Sequence, residues 1–103
     1  MNIMNEETFG PVAPIIKVDN LEKALELAKN SKFGLGTMLF TENIEQARYA
    51  ISSIPDGAFF INNMVKSDPR LPFGGTKSSG FGRELSIEGI REFVNTKTVY
   101  INT

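Results

Sequence analysis

Residues 36–62, GTMLFTENIEQARYAISSIPDGAFFIN, decide the fold. Gly36 to Phe40 is a short apolar run that reads as a buried strand. Asn43 can cap a helix, with Gln46 three residues on. Ile44, Ala47, Tyr49, Ala50, Ile51 and Ile54 supply the apolar content of that helix. Pro55-Asp56-Gly57 is a turn, and Ala58 to Asn62 returns to strand character. A strand, a helix and a second strand in one short unit argue for α/β architecture, with parallel strands and right-handed crossover helices.

The same alternation extends outward. Pro11 to Val18 carries β-branched residues and predicts another strand, its first half irregular or at an edge because of Pro11 and Pro14. Asp19 or Asn20 can cap the next helix, and Glu22 stands three residues after Asp19. Leu21, Ala24, Leu25 and Ala28 form its apolar stripe, and it should end between Asn30 and Gly34. Downstream, residues 63–83 hold Pro69, Pro72 and four glycines and read as one long loop. Loops of that length in compact domains are usually functional or disordered. Ser86 can cap a third helix with Ile87, Ile90 and Phe93 or Val94 on one face, and Lys97 to Asn102 predicts a terminal strand.

Composition removes several function classes. The 103 residues suit one small domain with a thin core and show no internal repeat or linker. A net charge of −1 gives no electrostatic case for nucleic acid or a membrane surface. No apolar run approaches the roughly 20 residues of a spanning helix. The acidic start does not resemble a signal peptide, which favours the cytoplasm. The sequence has no Cys and no His, so disulfides, thiolate nucleophiles and the common zinc and haem ligand sets are excluded, and no metal site is expected. Acid–base chemistry falls to Glu, Asp, Lys or Tyr.

Three stretches could carry chemistry. Glu6-Glu7-Thr8-Phe9-Gly10-Pro11 sets carboxylates beside an aromatic ring. A carboxylate can accept both hydrogen bonds of a vicinal diol, and an aromatic face can pack on a flat heterocycle. The same residues also fit a solvated acidic start followed by a core Phe. Residues 72–84, Pro-Phe-Gly-Gly-Thr-Lys-Ser-Ser-Gly-Phe-Gly-Arg-Glu, contain Gly80-x-Gly82 but lack the spacing of known phosphate-binding loops. Lys66, Ser67, Asp68 and Arg70, with Lys77 and Arg83 further on, could hold a carboxylate by charge-assisted hydrogen bonds or form a solvated charged loop.

Taken together, these segments resemble the aldehyde dehydrogenase superfamily. Glu6-Glu7-x-Phe9-Gly10-Pro11-Val12 is similar to its Glu-Glu-x-Phe-Gly-Pro-Val motif, and residues 72–84 to its Pro-Phe-Gly-Gly-x-Lys-x-Ser-Gly-x-Gly-Arg-Glu motif. Asn30-Ser31-x-Phe33-Gly34-Leu35 and Gly57-x-x-x-Ile61-Asn62 match two further segments in the family's order, so the resemblance covers about residues 4–102. It implies a single C-terminal piece of the family's chain. About residues 7–94 would belong to the catalytic domain, and residues 97–102 would form a strand that joins another subunit's sheet.

The resemblance also implies roles. The family oxidises an aldehyde by hydride transfer to NAD or NADP, using a nucleophilic Cys and a Glu base. Glu7 corresponds to the carboxylate on the nicotinamide ribose and Phe9 to the aromatic beside the nicotinamide ring. Phe73 corresponds to a wall of the aldehyde pocket and Glu84 to a proton-relay carboxylate. The loop from Asn63 to Pro72 resembles that of succinate-semialdehyde dehydrogenases, which implies Ser67 first, then Arg70 or Lys66, on the substrate carboxylate. The family's Cys, general base, oxyanion-hole Asn and cofactor domain lie upstream of the matched region. The chain alone is therefore expected to be inactive and to bind no cofactor. It would partner an upstream portion or its own copies. The alternatives are a complementing subunit, a structural assembly module without catalysis, or a small phosphate- or nucleotide-binding module. Without its upstream cover, residues 63–83 are expected to be partly disordered.

Overall fold

The computed structural model of the chain describes residue 3 and residues 5–103. The acidic start, read above for targeting and for the first residues of the family match, lies partly outside them.

Helix α1 spans Leu21–Lys29. Asn20 is its cap: the backbone there is extended, and Oδ1 accepts from the Lys23 N–H at 2.9 Å. The alternative cap at Asp19, with its Glu22 spacing, is not used. Glu22 in the first turn and Lys29 in the last turn oppose the helix dipole with the favourable sign. Helix α2 spans Ile44–Ser53, and Asn43 Oδ1 accepts from the N–H groups of Glu45 at 3.0 Å and Gln46 at 3.1 Å. It stops at Ile54, which is extended as the residue before a proline must usually be.

Four short strands complete the framework: β1 (Phe33–Gly34), β2 (Thr37–Leu39), β3 (Phe59–Ile61) and β4 (Thr76–Lys77). β2 and β3 run parallel, with Thr37 opposite Phe59 and Leu39 opposite Ile61, and α2 makes the connection between them. β1 and β4 pair antiparallel, Phe33 opposite Lys77. Helix α3 is a short Ser86–Arg91.

The core lies between α1, α2 and the β2–β3 pair. Leu25, Ala50 and Ile54 are its buried members, and Leu21, Leu39 and Phe59 pack against them. Ala47 is fully covered as well. Among the described residues no other hydrophobic side chain is buried. The accessible surface is 8672 Å², against about 5,800 Å² for a compact monomer of this mass. The radius of gyration is 17.8 Å, against about 13 Å for a compact chain of this length. Large apolar side chains therefore stand in solvent, Phe9, Phe81 and Phe93 among the most open.

Several sequence expectations change. Residues 11–18 form no strand: no described strand lies alongside to take their hydrogen bonds, and Pro11 and Pro14 donate none. The expected buried strand over residues 36–40 is shorter and more open: β2 ends at Leu39, Met38 is half exposed, and Phe40 just beyond it is more so. Ile44, Tyr49 and Ile51 lie on the open side of α2. Leu85, not Ser86, precedes α3 as its cap and makes no side-chain cap bond, and Ile87, Ile90, Phe93 and Val94 face solvent. Residues 97–102 pair with no described strand. Residues 63–83, expected to be partly disordered, are instead threaded by β4, by backbone hydrogen bonds and by turns.

Candidate functional site

Residues 73–84 form a loop closed at its neck. Phe73 N–H donates to the Glu84 carbonyl at 2.9 Å, and Glu84 N–H donates to the Phe73 carbonyl at 2.8 Å. Phe73 and Glu84, eleven positions apart in the sequence, thus occupy one antiparallel rung. Arg83 Nη1 donates to the carbonyls of Gly75 at 2.9 Å and Gly82 at 2.7 Å, bridging the two arms. The tip is held on the α1–β1 junction and on the turn after α2. Ser78 N–H donates to the Lys32 carbonyl, Ser79 Oγ accepts from Gly34 N–H, and Thr76 Oγ1 donates to the Pro55 carbonyl at 2.9 Å.

Two backbone features let the loop settle there. A Cβ on Gly57 would collide with the Gly74 carbonyl oxygen, so the turn after α2 touches the loop through bare backbone. Asn62 has φ +52°, and its amide takes up Thr41: Oδ1 accepts from Thr41 N–H at 2.9 Å and Nδ2 donates to the Thr41 carbonyl at 2.8 Å. That side chain stands in for a further strand rung and turns the backbone from β3 into the 63–72 loop.

Three adjoining clefts surround this loop. Glu7 lines one of about 680 Å³ with Lys32, Phe33, Leu35 and Ser79. Phe73 and Glu84 share one of about 380 Å³ with Leu35, Ser79, Arg83 and Phe93. Phe73 also lines one of about 330 Å³ with Phe60, Lys66, Asp68 and Leu71. Leu35 and Ser79 are common to the first and second, and Phe73 to the second and third. The order along the surface is Glu7, then Glu84 with Phe73, then Lys66.

The remaining sequence candidates fall outside this line. Phe9 is 93% exposed and lines none of the three clefts. Ser67 is exposed and also lines none of them. Arg70 is occupied by Asp68: Nε donates to Oδ1 at 2.9 Å and Nη2 to Oδ2 at 2.7 Å. Those bonds, with the Arg70 backbone N–H, hold the Asp68 carboxyl at about 2, below its ordinary 3.8. Lys77 and Arg83 bind backbone carbonyls rather than forming a cationic patch. Sequence reasoning missed the structural use of Lys77, Thr76, Ser79 and Asn62, although an Asn closing a strand is a known sign of a left-handed turn.

The donor set suits a nicotinamide nucleotide in part. Glu7 offers a carboxylate acceptor to a ribose diol in a cleft of suitable size, while Phe9 stands apart from it. Among the described residues no group of three or more His, Cys, Asp or Glu side chains is placed to hold a metal, and no helix is long and apolar enough to cross a membrane.

The aldehyde dehydrogenase family profile matches residues 1–99, and the chain belongs to that family. A probable succinate-semialdehyde dehydrogenase [NADP(+)] of Synechocystis sp. is 58% identical over 96 residues, which cover 93% of this chain and 21% of that protein. The succinate-semialdehyde dehydrogenase [NADP(+)] of Mycobacterium leprae is 50% identical over 101 residues, 98% of this chain and 22% of that protein. Among solved structures, the succinic semialdehyde dehydrogenase of Streptococcus pyogenes in complex with NADP+ superposes with a TM-score of 0.91 at 46% identity, over 98% of this chain and 22% of that one. Betaine aldehyde dehydrogenase of Staphylococcus aureus with NAD+ gives 0.86 at 35% identity, over 90% of this chain and 18% of that one. The chain thus spans about a fifth of the length of the relatives it matches.

Proposed function

We propose that the chain forms one side of the active site of an NAD(P)-dependent succinate-semialdehyde dehydrogenase and is inactive by itself. The observation that carries this reading is the unbroken order of clefts from Glu7 through Glu84 and Phe73 to Lys66. In this reading Glu7 accepts the hydroxyls of the nicotinamide ribose, and the bound nicotinamide supplies the hydride acceptor. Phe73 excludes water from the aldehyde. Glu84 passes a proton at its carboxylate during hydrolysis of the acyl intermediate. Lys66 meets the far carboxylate of the substrate, with Ser67 and the unengaged side of Arg70 as further contacts. The nucleophile must come from elsewhere because the sequence contains no thiol, and loss of a nucleophile removes many powers of ten in rate. Residues 97–102 add to the sheet of another subunit in this reading; Val99, Tyr100 and Ile101 all stand in solvent.

The test mixes the chain with succinate semialdehyde and NADP or NAD and follows reduced nicotinamide by absorbance. No turnover is expected from the chain alone. Turnover is expected when a separately prepared upstream portion of the Synechocystis relative, bearing the Cys, is added. Clear turnover by the isolated chain would overturn the reading, and so would full activity of a Glu84→Gln chain in the mixture.

A further inference from the structure

Lys77 lies in the loop motif, yet nothing in the proposed chemistry uses it. Its φ is +54°, a left-handed conformation that L side chains disfavour and glycine adopts freely. A lysine at such a position implies a task for the side chain. Nζ donates to the Lys29 carbonyl at 3.0 Å and to the Ser31 carbonyl at 2.9 Å. Lys29 is the last residue of α1, and the cap that follows, Asn30, has φ −74°. Neither Asn30 nor Ser31 after it has a positive φ, so the helix ends without the left-handed closing residue that usually satisfies final carbonyls. An ammonium there meets the orphan Lys29 carbonyl, the Ser31 carbonyl just past the helix, and the negative end of the helix dipole. The backbone of Lys77 meanwhile pairs with Phe33 in the β1–β4 ladder.

We propose that Lys77 is a positioning residue for the candidate site, a role resting on the function proposed above. Its ammonium clamps the loop tip to the end of α1. That clamp sets Ser79 and Leu35, which border both the Glu7 cleft and the Glu84 groove. Through the closed neck it also fixes Phe73 and Glu84 relative to Glu7. Ser78 and Ser79 attach the same tip to β1 and the residue before it, but among the described side chains of the tip Lys77 is the one bonded to α1.

The experiment compares Lys77→Met, Lys77→Gln and Lys77→Arg in the full chain, with circular dichroism to verify folding. Amide hydrogen exchange is read at Phe73 and Glu84, the two neck N–H groups, and at Ile54 in the core as reference. Lys77→Met should speed exchange at both neck amides by about tenfold with little change at Ile54, and Lys77→Arg should restore most of the protection. Lys77→Gln supplies the same comparison if Lys77→Met does not fold. Unchanged neck exchange, with fraying confined to the end of α1, would overturn the proposal. In the enzyme reconstituted with an upstream portion, Lys77→Met should raise the aldehyde KM as well as lower kcat, which a mere loss of folded protein cannot do. An altered neck with an unchanged aldehyde KM would refute the role in the site and leave only a clamp on the fold. A reconstituted enzyme that never turns over would count against the function reading, while the exchange result still judges the clamp.

Discussion

Gly57→Ala tests whether the 73–84 loop rests on bare backbone. The added Cβ would meet the Gly74 carbonyl oxygen and carbon and crowd Gly75 Cα, all backbone atoms that no rotamer change can move. Relief requires the turn and the loop to separate by roughly 2 Å, given that unbonded heavy atoms rest about 3.5 Å apart. Overpacking of this kind costs about 1–3 kcal/mol. The separation also strains the Thr76 Oγ1 bond to Pro55 O and the Gly57 N–H bond to Gly34 O, and losing one adds about 1 kcal/mol. The sum is about 3 kcal/mol, a large share of the roughly 5 kcal/mol expected at the low end for a small domain. Urea unfolding followed by circular dichroism should show a midpoint lower by about 2 M. Gly10→Ala is the matched control, since a Cβ at Gly10 meets nothing within 4 Å. A Gly57→Ala chain within about 0.5 kcal/mol of the control would refute the close contact.

Three further outcomes are expected. Ile54→Ala should cost about 2–4 kcal/mol in chemical denaturation, because Ile54 belongs to the small buried core, whereas the half-exposed Ile51→Ala should cost under about 1. Asn43→Ala should remove two backbone partners at the start of α2 and cost about 1 kcal/mol, measured by thermal denaturation. The Asp68 carboxyl, lowered to about 2 by its bonds to Arg70, stabilises the fold above its unfolded value of 3.8 and loses that contribution as pH falls toward 2. Side-chain carbonyl NMR titration should show the low midpoint, and Arg70→Met should move it back toward 3.8.

The local parts of this fold were legible because their causes are local. An Asn before an apolar helical stripe announces a cap, and Asn43 and Asn20 both serve as one. The two segments around α2 lie parallel, as a strand, helix, strand order suggests. Where the cause lies far along the chain, the letters say less. Pro11 to Val18 and Lys97 to Asn102 have strand-like residues, but a strand exists only beside a partner, and neither has one among the described residues. The loop cations look equivalent in sequence. Lys77 nevertheless finds its carbonyls 48 and 46 residues away, and Arg70 finds Asp68 two residues away. The rung that joins Phe73 to Glu84 was equally invisible, since no rule of spacing marks a loop neck. The order of the clefts belongs to tertiary packing alone.

The open surface described above has a thermal consequence. The excess over a compact monomer is about 2,900 Å². If about three-fifths of that area is apolar, covering it would carry a heat-capacity change of about −0.5 kcal/mol/K. Any assembly that buries this face is then held by a force that fades as water cools. Cooling would therefore weaken the apolar contribution to any such complex, whatever its partner.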